Sequence, residues 1–306
     1  MLGTVWILIS LPLLLVLVEA ASFYAVNHSG GAMVLSVQNR QYLLHVPPSY
    51  DRSKPTPLVI SMHGAGGWPA QQMELSGWNQ LADREQFIVA YPSGDDGAGL
   101  RIWHVERGPG LMRDVGFISA LIDTLEATYS IDPKRIYANG LSNGGGMAFV
   151  LSCKLSDRIA AVGMVGAAQT LPFRWCTDRR PVPMIAFHGT ADPMIPYDGG
   201  TTWITSEAFP NIPAWTKAWA GRNQCEASPV DSAVAPDVTR IEYLNCAGNA
   251  TVVLYRVQGG GHTWPGGKPL PEWFAGPTSR SIDATSQLWA YFRQHQLSGV
   301  HTKAPM

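Results

Sequence analysis

A serine hydroxyl attacks a carbonyl only when a base removes its proton, so a serine displayed on a turn must have a histidine and a carboxylate within reach. Gly140-Leu141-Ser142-Asn143-Gly144 supplies the serine. A strand-like run, Arg135–Ala138, leads into it and a helix-like run, 144–152, leads out. That setting makes the G-x-S-x-G pattern a nucleophile elbow, with Ser142 on a tight turn and its Oγ held clear of the sheet. Without it, the same glycines could equally form a strand–helix turn that binds phosphate at the helix N-terminus.

The base comes from eight histidines. His28, His295 and His301 lie near the ends of the chain and His45 in an early strand, positions that suit surface or packing roles. His63 and His188 each end a buried strand before a glycine, where a hydrogen-bonded structural histidine fits; the sequence leaves the role of His104 open. His262 stands in Gly259-Gly260-Gly261-His262-Thr263-Trp264-Pro265-Gly266, a loop after the last strand, with no regular element to explain it. We expect His262 to be the general base. The acid that orients it should lie between Ser142 and His262 in the chain. Asp192, in His188-Gly189-Thr190-Ala191-Asp192-Pro193, sits just past a strand end, unlike Asp178, Asp198, Asp231 and Asp237. Its competing assignment is an Asx-turn before proline. Two oxyanion donors are expected, the backbone N–H of Asn143 and that of Ala65 in Ser61-Met62-His63-Gly64-Ala65-Gly66-Gly67.

The elements that must hold these residues alternate. Strands are predicted at Met33–Val37, Gln41–Val46, Leu58–Met62, Phe87–Tyr91, Arg135–Ala138, Ala160–Val165, Met184–His188 and Thr251–Val257. Several are apolar on both faces, as buried parallel strands are. The first two, joined by a short polar turn, should form an antiparallel hairpin. Helices are predicted over 69–84, 114–127, 144–152, 212–221 and 281–295; Val115, Ile118, Ile122 and Leu125 fall at helical spacing. Strands alternating with helices give an α/β fold, a mostly parallel eight-stranded sheet with helices on both faces.

The chain has 306 residues, 46% apolar and 15% charged, with a formal net charge of −1. Those proportions describe a globular chain, and without a Lys/Arg run they argue against nucleic acid or an anionic membrane as partner. Val5 to Val18 is almost wholly apolar and Val18-Glu19-Ala20 fits signal-peptidase cleavage, so residues 1–20 read as a signal peptide and 21–306 as one catalytic domain. The apolar stretch is shorter than the ~20 residues of a membrane span. The expected product is a secreted or periplasmic protein with no membrane association after cleavage. Cys153, Cys176, Cys225 and Cys246 contain no C-x-x-C pair, and an oxidising compartment favours two disulfides. Of three connectivities, the local one, Cys153–Cys176 with Cys225–Cys246, closes two loops of similar size. Asn27 and Asn249 begin glycosylation sequons. No metal or organic cofactor is implied.

His63-Gly64-Ala65-Gly66-Gly67, Tyr91-Pro92-Ser93-Gly94, Asp114-Val115-Gly116-Phe117, Gly140-Leu141-Ser142-Asn143-Gly144-Gly145, His188-Gly189-Thr190-Ala191-Asp192 and Gly261-His262-Thr263-Trp264-Pro265, taken in order, resemble the polyhydroxybutyrate depolymerase-like esterases, a group that includes feruloyl and acetylxylan esterases. The resemblance runs from about Val37 to Phe292. It implies an α/β-hydrolase fold, secretion, a Ser142–Asp192–His262 triad and hydrolysis of carboxylic esters. It also implies that Cys225 pairs with Cys246. The chain departs from the pattern at Ser93 and Arg113, where many members carry Asp.

Trp68, Trp103 and Trp264 lie on loops at or near the proposed site and are expected to stack on a sugar or an aromatic acid, with ordinary rim packing as the alternative. The longest stretch available for a cap is 198–224, where Trp215 and Trp219 share a helix face; it is short and mixed in polarity, which predicts an open cleft and small or oligomeric esters as substrates. Two other classes use the same residues: a serine peptidase or amidase on this scaffold, and a secreted binding protein on a dead one.

Overall fold

Strands buried on both faces need helices on both sides, and that demand organises the molecule. The computed structural model describes residues 33–95, 100–178, 180–203 and 205–298. The predicted signal peptide, the Asn27 sequon, His28 and His301 lie outside them. The strands are β1 (Met33–Val37), β2 (Arg40–His45), β3 (Thr56–Met62), β4 (Ile88–Pro92), β5 (Ile131–Leu141), β6 (Ala161–Val165), β7 (Met184–Gly189), β8 (Gly200–Thr202), β9 (Thr205–Phe209), β10 (Val230–Ala235), β11 (Val238–Tyr243) and β12 (Val252–Val257). Ten of them form one sheet, ordered β1-β2-β4-β3-β5-β6-β7-β12-β11-β10, and β8 with β9 forms a separate hairpin.

The run from β4 through β3, β5, β6 and β7 to β12 is parallel. The β1–β2 hairpin is antiparallel, as expected, and so are the pairings β2–β4, β12–β11 and β11–β10. All eight strands expected from sequence are in the sheet. The expected count of eight is corrected to ten because β10 and β11 carry no apolar run: β10 is exposed almost throughout and β11 is buried only at its ends. They extend the sheet edge by backbone pairing, with Val238 and Tyr243 at the two ends of β11 reaching into the cores.

The helices are α1 (Pro69–Ser76), α2 (Trp78–Glu85), α3 (Pro109–Thr128), α4 (Asn143–Lys154), α5 (Ile212–Arg222), α6 (Glu272–Ala275) and α7 (Ala284–Phe292). The single helix expected over 69–84 is two, broken at Gly77 (φ 66°), whose N–H closes α1 onto the carbonyl of Met73. Two apolar cores flank the sheet. Leu58, Ile60 and Met62 of β3 pack with Ile118 and Ile122 of α3, Phe149 of α4 and Trp219 of α5. Val59 faces the other way, in a core with Met73 of α1, Trp78 of α2, and Leu288 and Phe292 of α7. This is the α/β-hydrolase arrangement. Helix α5 is not a cap: Trp215 and Trp219 are buried against Phe149 and Phe173. The part of 198–224 that stands off the core is the β8–β9 hairpin.

Both disulfides have the local pairing, Cys153–Cys176 and Cys225–Cys246. Asn249 is exposed. Among the described residues no helix is long and apolar enough to cross a membrane.

Candidate active site

Four parallel strands deliver the expected residues to one end of the sheet, because each residue follows the C-terminal end of its strand: Ala65 after β3, Ser142 after β5, Asp192 after β7 and His262 after β12. Ser142 has φ 54° and ψ −122°, a backbone state that costs of order 1–3 kcal/mol for a non-glycine residue. The surroundings hold it there. Its N–H donates to the carbonyl of Val165 at the end of β6, and its carbonyl accepts from Gly146 in α4. The turn tolerates no bulk beside it: a Cβ on Gly144 would lie 2.3 Å from the carbonyl oxygen of Met62. Ser142 keeps partial exposure, whereas Asp192 and His262 are buried.

His262 Nδ1 lies 2.8 Å from Asp192 Oδ2. A carboxylate can only accept, so Nδ1 carries the proton and Nε2 is the ring's basic nitrogen. The ring is set by its backbone, whose N–H donates to the carbonyl of Ala275. Asp192 Oδ1 accepts from the N–H groups of Met194 and Ile195, each at 2.8 Å. Asp192 thus makes an Asx-type turn with one oxygen and accepts from the histidine with the other. Burial pushes its carboxyl pKa up, but the hydrogen bond and charge of His262, the charge of His188 and the Ile195 N–H outweigh burial and leave it below the ordinary value.

Gly166 connects the pair to Ser142. It follows Val165, the acceptor of the Ser142 N–H, and a Cβ placed on it would lie 3.2 Å from His262 Nδ1 and 3.5 Å from Asp192 Oδ2. Its φ of +51° also favours glycine. The strand end that anchors Ser142 therefore continues directly beneath the His262–Asp192 hydrogen bond.

The loop after β3 closes the other side. A Cβ on Gly64 would lie 3.4 Å from the Ser142 Cβ, so this turn abuts Ser142. The N–H groups of Gly66 and Gly67 are committed to the carbonyls of Arg101 and Gly64. His63 beneath it is structural, as its position suggested: Nδ1 donates to the Gly64 carbonyl at 2.7 Å, and Nε2 accepts from the Gly94 N–H at 2.9 Å. Burial, with Arg101 and Arg40 nearby, pulls its pKa down to about 4. His188 is structural too, its Nε2 donating to the Ile195 carbonyl at 2.8 Å.

A polar network not foreseen from sequence ties this loop to the elbow. The Asn143 side chain clamps the backbone of Trp103, accepting its N–H at 2.6 Å and donating to its carbonyl at 2.9 Å. The Trp103 indole N–H donates to the His63 carbonyl. Asp114, fully buried, accepts from Arg40 at 2.5 Å and from the His104 N–H at 2.6 Å, which gives His104 a place as well. Arg40 lies over the Phe117 ring, 3.9 Å from its centroid. The sequence signals were Asp114 inside an otherwise apolar helix face and Asn143 inside the elbow.

Two of the three tryptophans expected to meet substrate do not have a free face. Trp264 is 0% exposed, with its indole N–H donating to Thr285. A glycine-rich loop suggested exposure, but here the loop folds its one large apolar side chain into the core beneath α7. Trp103 is 1% exposed, clamped by Asn143 and hydrogen-bonded to the His63 carbonyl. Trp68 alone stays half-buried, lining a shallow pocket with Leu270 and Pro269. No cluster of His, Cys, Asp or Glu able to hold a metal occurs among the described residues.

A sequence profile described as Esterase PHB depolymerase matches residues 40–170. Among curated proteins, "Putative esterase NocK" of Nocardia uniformis subsp. tsuyamanensis is 31% identical over 268 residues, 82% of this chain and 78% of that protein. "Feruloyl esterase B" of Piromyces equi is 31% identical over 235 residues, 75% of this chain but only 44% of the longer relative. Among solved structures, an acetyl xylan esterase from Aspergillus awamori superposes with a TM-score of 0.64 at 16% identity, over 86% of this chain and 99% of that one; the likeness is one of fold.

Proposed function

Since this chain belongs to the esterase PHB depolymerase family, we propose that it is a secreted serine esterase, a carboxylic ester hydrolase working through Ser142, His262 and Asp192. The observation that carries the proposal is the 2.8 Å hydrogen bond between His262 Nδ1 and Asp192 Oδ2, beside the Gly166 backbone that continues from the anchor of Ser142. In this mechanism Ser142 Oγ attacks the ester carbonyl while His262 Nε2 takes its proton. Asp192 stabilises the imidazolium and does not itself take the proton. The N–H groups of Ala65 and Asn143 receive the oxyanion; such a donor is worth about 3 kcal/mol in the barrier. Collapse of the tetrahedral intermediate breaks the bond to the alcohol, which departs with the proton from His262. Water then attacks the acyl-enzyme with His262 again as base, releasing the carboxylic acid and restoring the Ser142 hydroxyl.

The names of the relatives favour acetyl or feruloyl groups on sugars as first substrates, with 3-hydroxybutyrate oligomers second. Secretion agrees with the two disulfides. Ser142→Ala should reduce turnover of 4-nitrophenyl acetate on the order of 10⁴-fold or more and abolish fluorophosphonate labelling, at an unchanged Tm. Wild-type-like activity in that variant would remove the mechanism. Matched ester and anilide substrates separate an esterase from an amidase, and the esterase reading requires the ester to be strongly preferred.

A further inference from the structure

Three large aromatic side chains stand exposed on the loops that carry the acid and the base. Trp203 is 71% exposed, Trp273 88% and Phe274 41%. Trp203 sits beyond β8, whose Thr202 hydroxyl donates to the carbonyl of Met194, two residues past Asp192. Trp273 and Phe274 belong to α6, whose last residue, Ala275, accepts the backbone N–H of His262. The ring centroids are 6.2 Å apart for Trp203 and Phe274 and 5.7 Å for Phe274 and Trp273. The three rings therefore form one strip, continuous with the loops of Asp192 and His262.

The side of the site on which this strip lies decides what it can touch. The sheet order puts β3 and its oxyanion loop on one side of β5 and Ser142, and β6, β7 and β12 on the other. A base that later returns its proton to the leaving oxygen must lie on the alcohol side of the scissile bond. In the esterase reading the alcohol half of the ester thus leaves toward His262, on the side of the sheet where α6 and Trp203 lie. The rings are tilted 59° and 58° to one another, so the strip is stepped rather than flat. Exposed Thr201 and Glu272 border it. A stepped aromatic surface with a polar and acidic border suits an extended ligand of alternating apolar faces and hydroxyl edges. It does not suit a lipid surface, which favours basic borders.

We propose that Trp203, Phe274 and Trp273 form the binding platform for the alcohol half of the substrate, and that this half is a chain of pyranose rings stacking on them. The proposal rests on the esterase reading for its direction but not for its binding test. With Ser142→Ala protein, xylohexaose titrated by isothermal calorimetry should bind, and adding Trp203→Ala and Trp273→Ala should weaken binding at least tenfold, since each aromatic contact is worth roughly a factor of two to ten. In active protein, the ratio of kcat/KM on acetylated xylan to kcat/KM on 4-nitrophenyl acetate should fall at least tenfold in the same double variant. With 4-nitrophenyl acetate as acyl donor and xylobiose as acceptor, the fraction of acyl-enzyme diverted from water to sugar ester should fall as well. Val230→Ala, an exposed apolar residue on edge strand β10, is the control and should move none of these readings. Absence of xylohexaose binding, or a double variant within twofold of its parent in binding and in the ratio, overturns the platform. Loss of adsorption to polyester film with the ratio intact also overturns it, in favour of an apolar polymer surface. Failure of the esterase reading shows separately, as no 4-nitrophenyl acetate turnover in any form of the protein.

Discussion

Replacing Asp192 by Asn tests the triad with little change in shape. Asp192 Oδ1 accepts two backbone N–H groups at 2.8 Å, from Met194 and Ile195. An asparagine has one acceptor oxygen, and those two donors will claim it. The amide NH₂ must then face His262 Nδ1, now 2.8 Å from the carboxylate. Two donors cannot share a hydrogen bond, so His262 shifts its proton to Nε2 and Nδ1 becomes the acceptor. Nε2 is then unable to take the Ser142 proton. Loss of the correct tautomer costs kcat about 10⁴-fold, or about 5 kcal/mol in the barrier. The Asx-type turn survives, so Tm should hardly move. Asp192→Ala, by contrast, strands the Met194 and Ile195 N–H groups in a buried turn and should cost about 1–3 kcal/mol of stability in addition. The assay is the pre-steady-state acylation rate with 4-nitrophenyl acetate, with thermal unfolding alongside. A loss of less than tenfold for Asp192→Asn, at unchanged Tm, would refute the assignment of Asp192 as the orienting acid.

Gly166→Ala places a Cβ 3.2 Å from His262 Nδ1 at a φ of +51°; it should cost roughly 1–2 kcal/mol of stability and at least tenfold in kcat/KM, checked by chemical denaturation and steady-state kinetics. Acid should weaken the fold through His63, whose pKa is about 4 folded against about 6.5 unfolded. Its contribution is complete above the unfolded value and declines as pH falls, by about 2 kcal/mol at pH 5; His295, also near 4, adds to the loss. Urea unfolding at pH 7 and pH 5 measures this, and equal stabilities would contradict it. Each disulfide closes a loop, with sequence separations of 23 and 21, so replacing either pair by Ser should cost about 3 kcal/mol, read as a lowered Tm against unreduced protein.

The three residues proposed for catalysis were legible because they sit where regular structure stops. Ser142, Asp192 and His262 each follow an apolar run, and a polar residue there has no packing reason to exist. The parallel strands were legible for the opposite reason: Leu58–Met62 and Met184–His188 are apolar on both faces, and only a doubly covered sheet absorbs that. Strands β10 and β11 were not, because edge pairing is a backbone interaction that leaves no apolar period in Val230–Ala235. The break between α1 and α2 was not legible within the expected helix over 69–84, since it depends on the positive φ of Gly77. Trp264 and Trp203 show the limit best. Both lie on loops between turn-forming residues, yet one is fully buried and the other largely exposed; only the three-dimensional path of each loop separates them.

The position of β12 has a consequence for how activity arises in time. The elbow is local: β5, the Ser142 turn and α4 are contiguous in the chain. His262 meets Asp192 only after β12 has come back across β8 to β11 to pair with β7, and the two residues are 70 apart in sequence. Closing a loop of that length is paid in chain entropy before any contact rewards it, and such non-local parallel pairing is slow. The Ser142 turn, which needs only the nearby Val165 carbonyl to anchor it, is therefore expected to form before His262 arrives. A chain refolding from denaturant is then expected to pass through a latent period in which the Ser142 turn has formed and His262 is not yet docked beside Asp192. Regain of fluorophosphonate labelling should lag behind regain of far-ultraviolet circular dichroism, and that lag times the docking of the last strand.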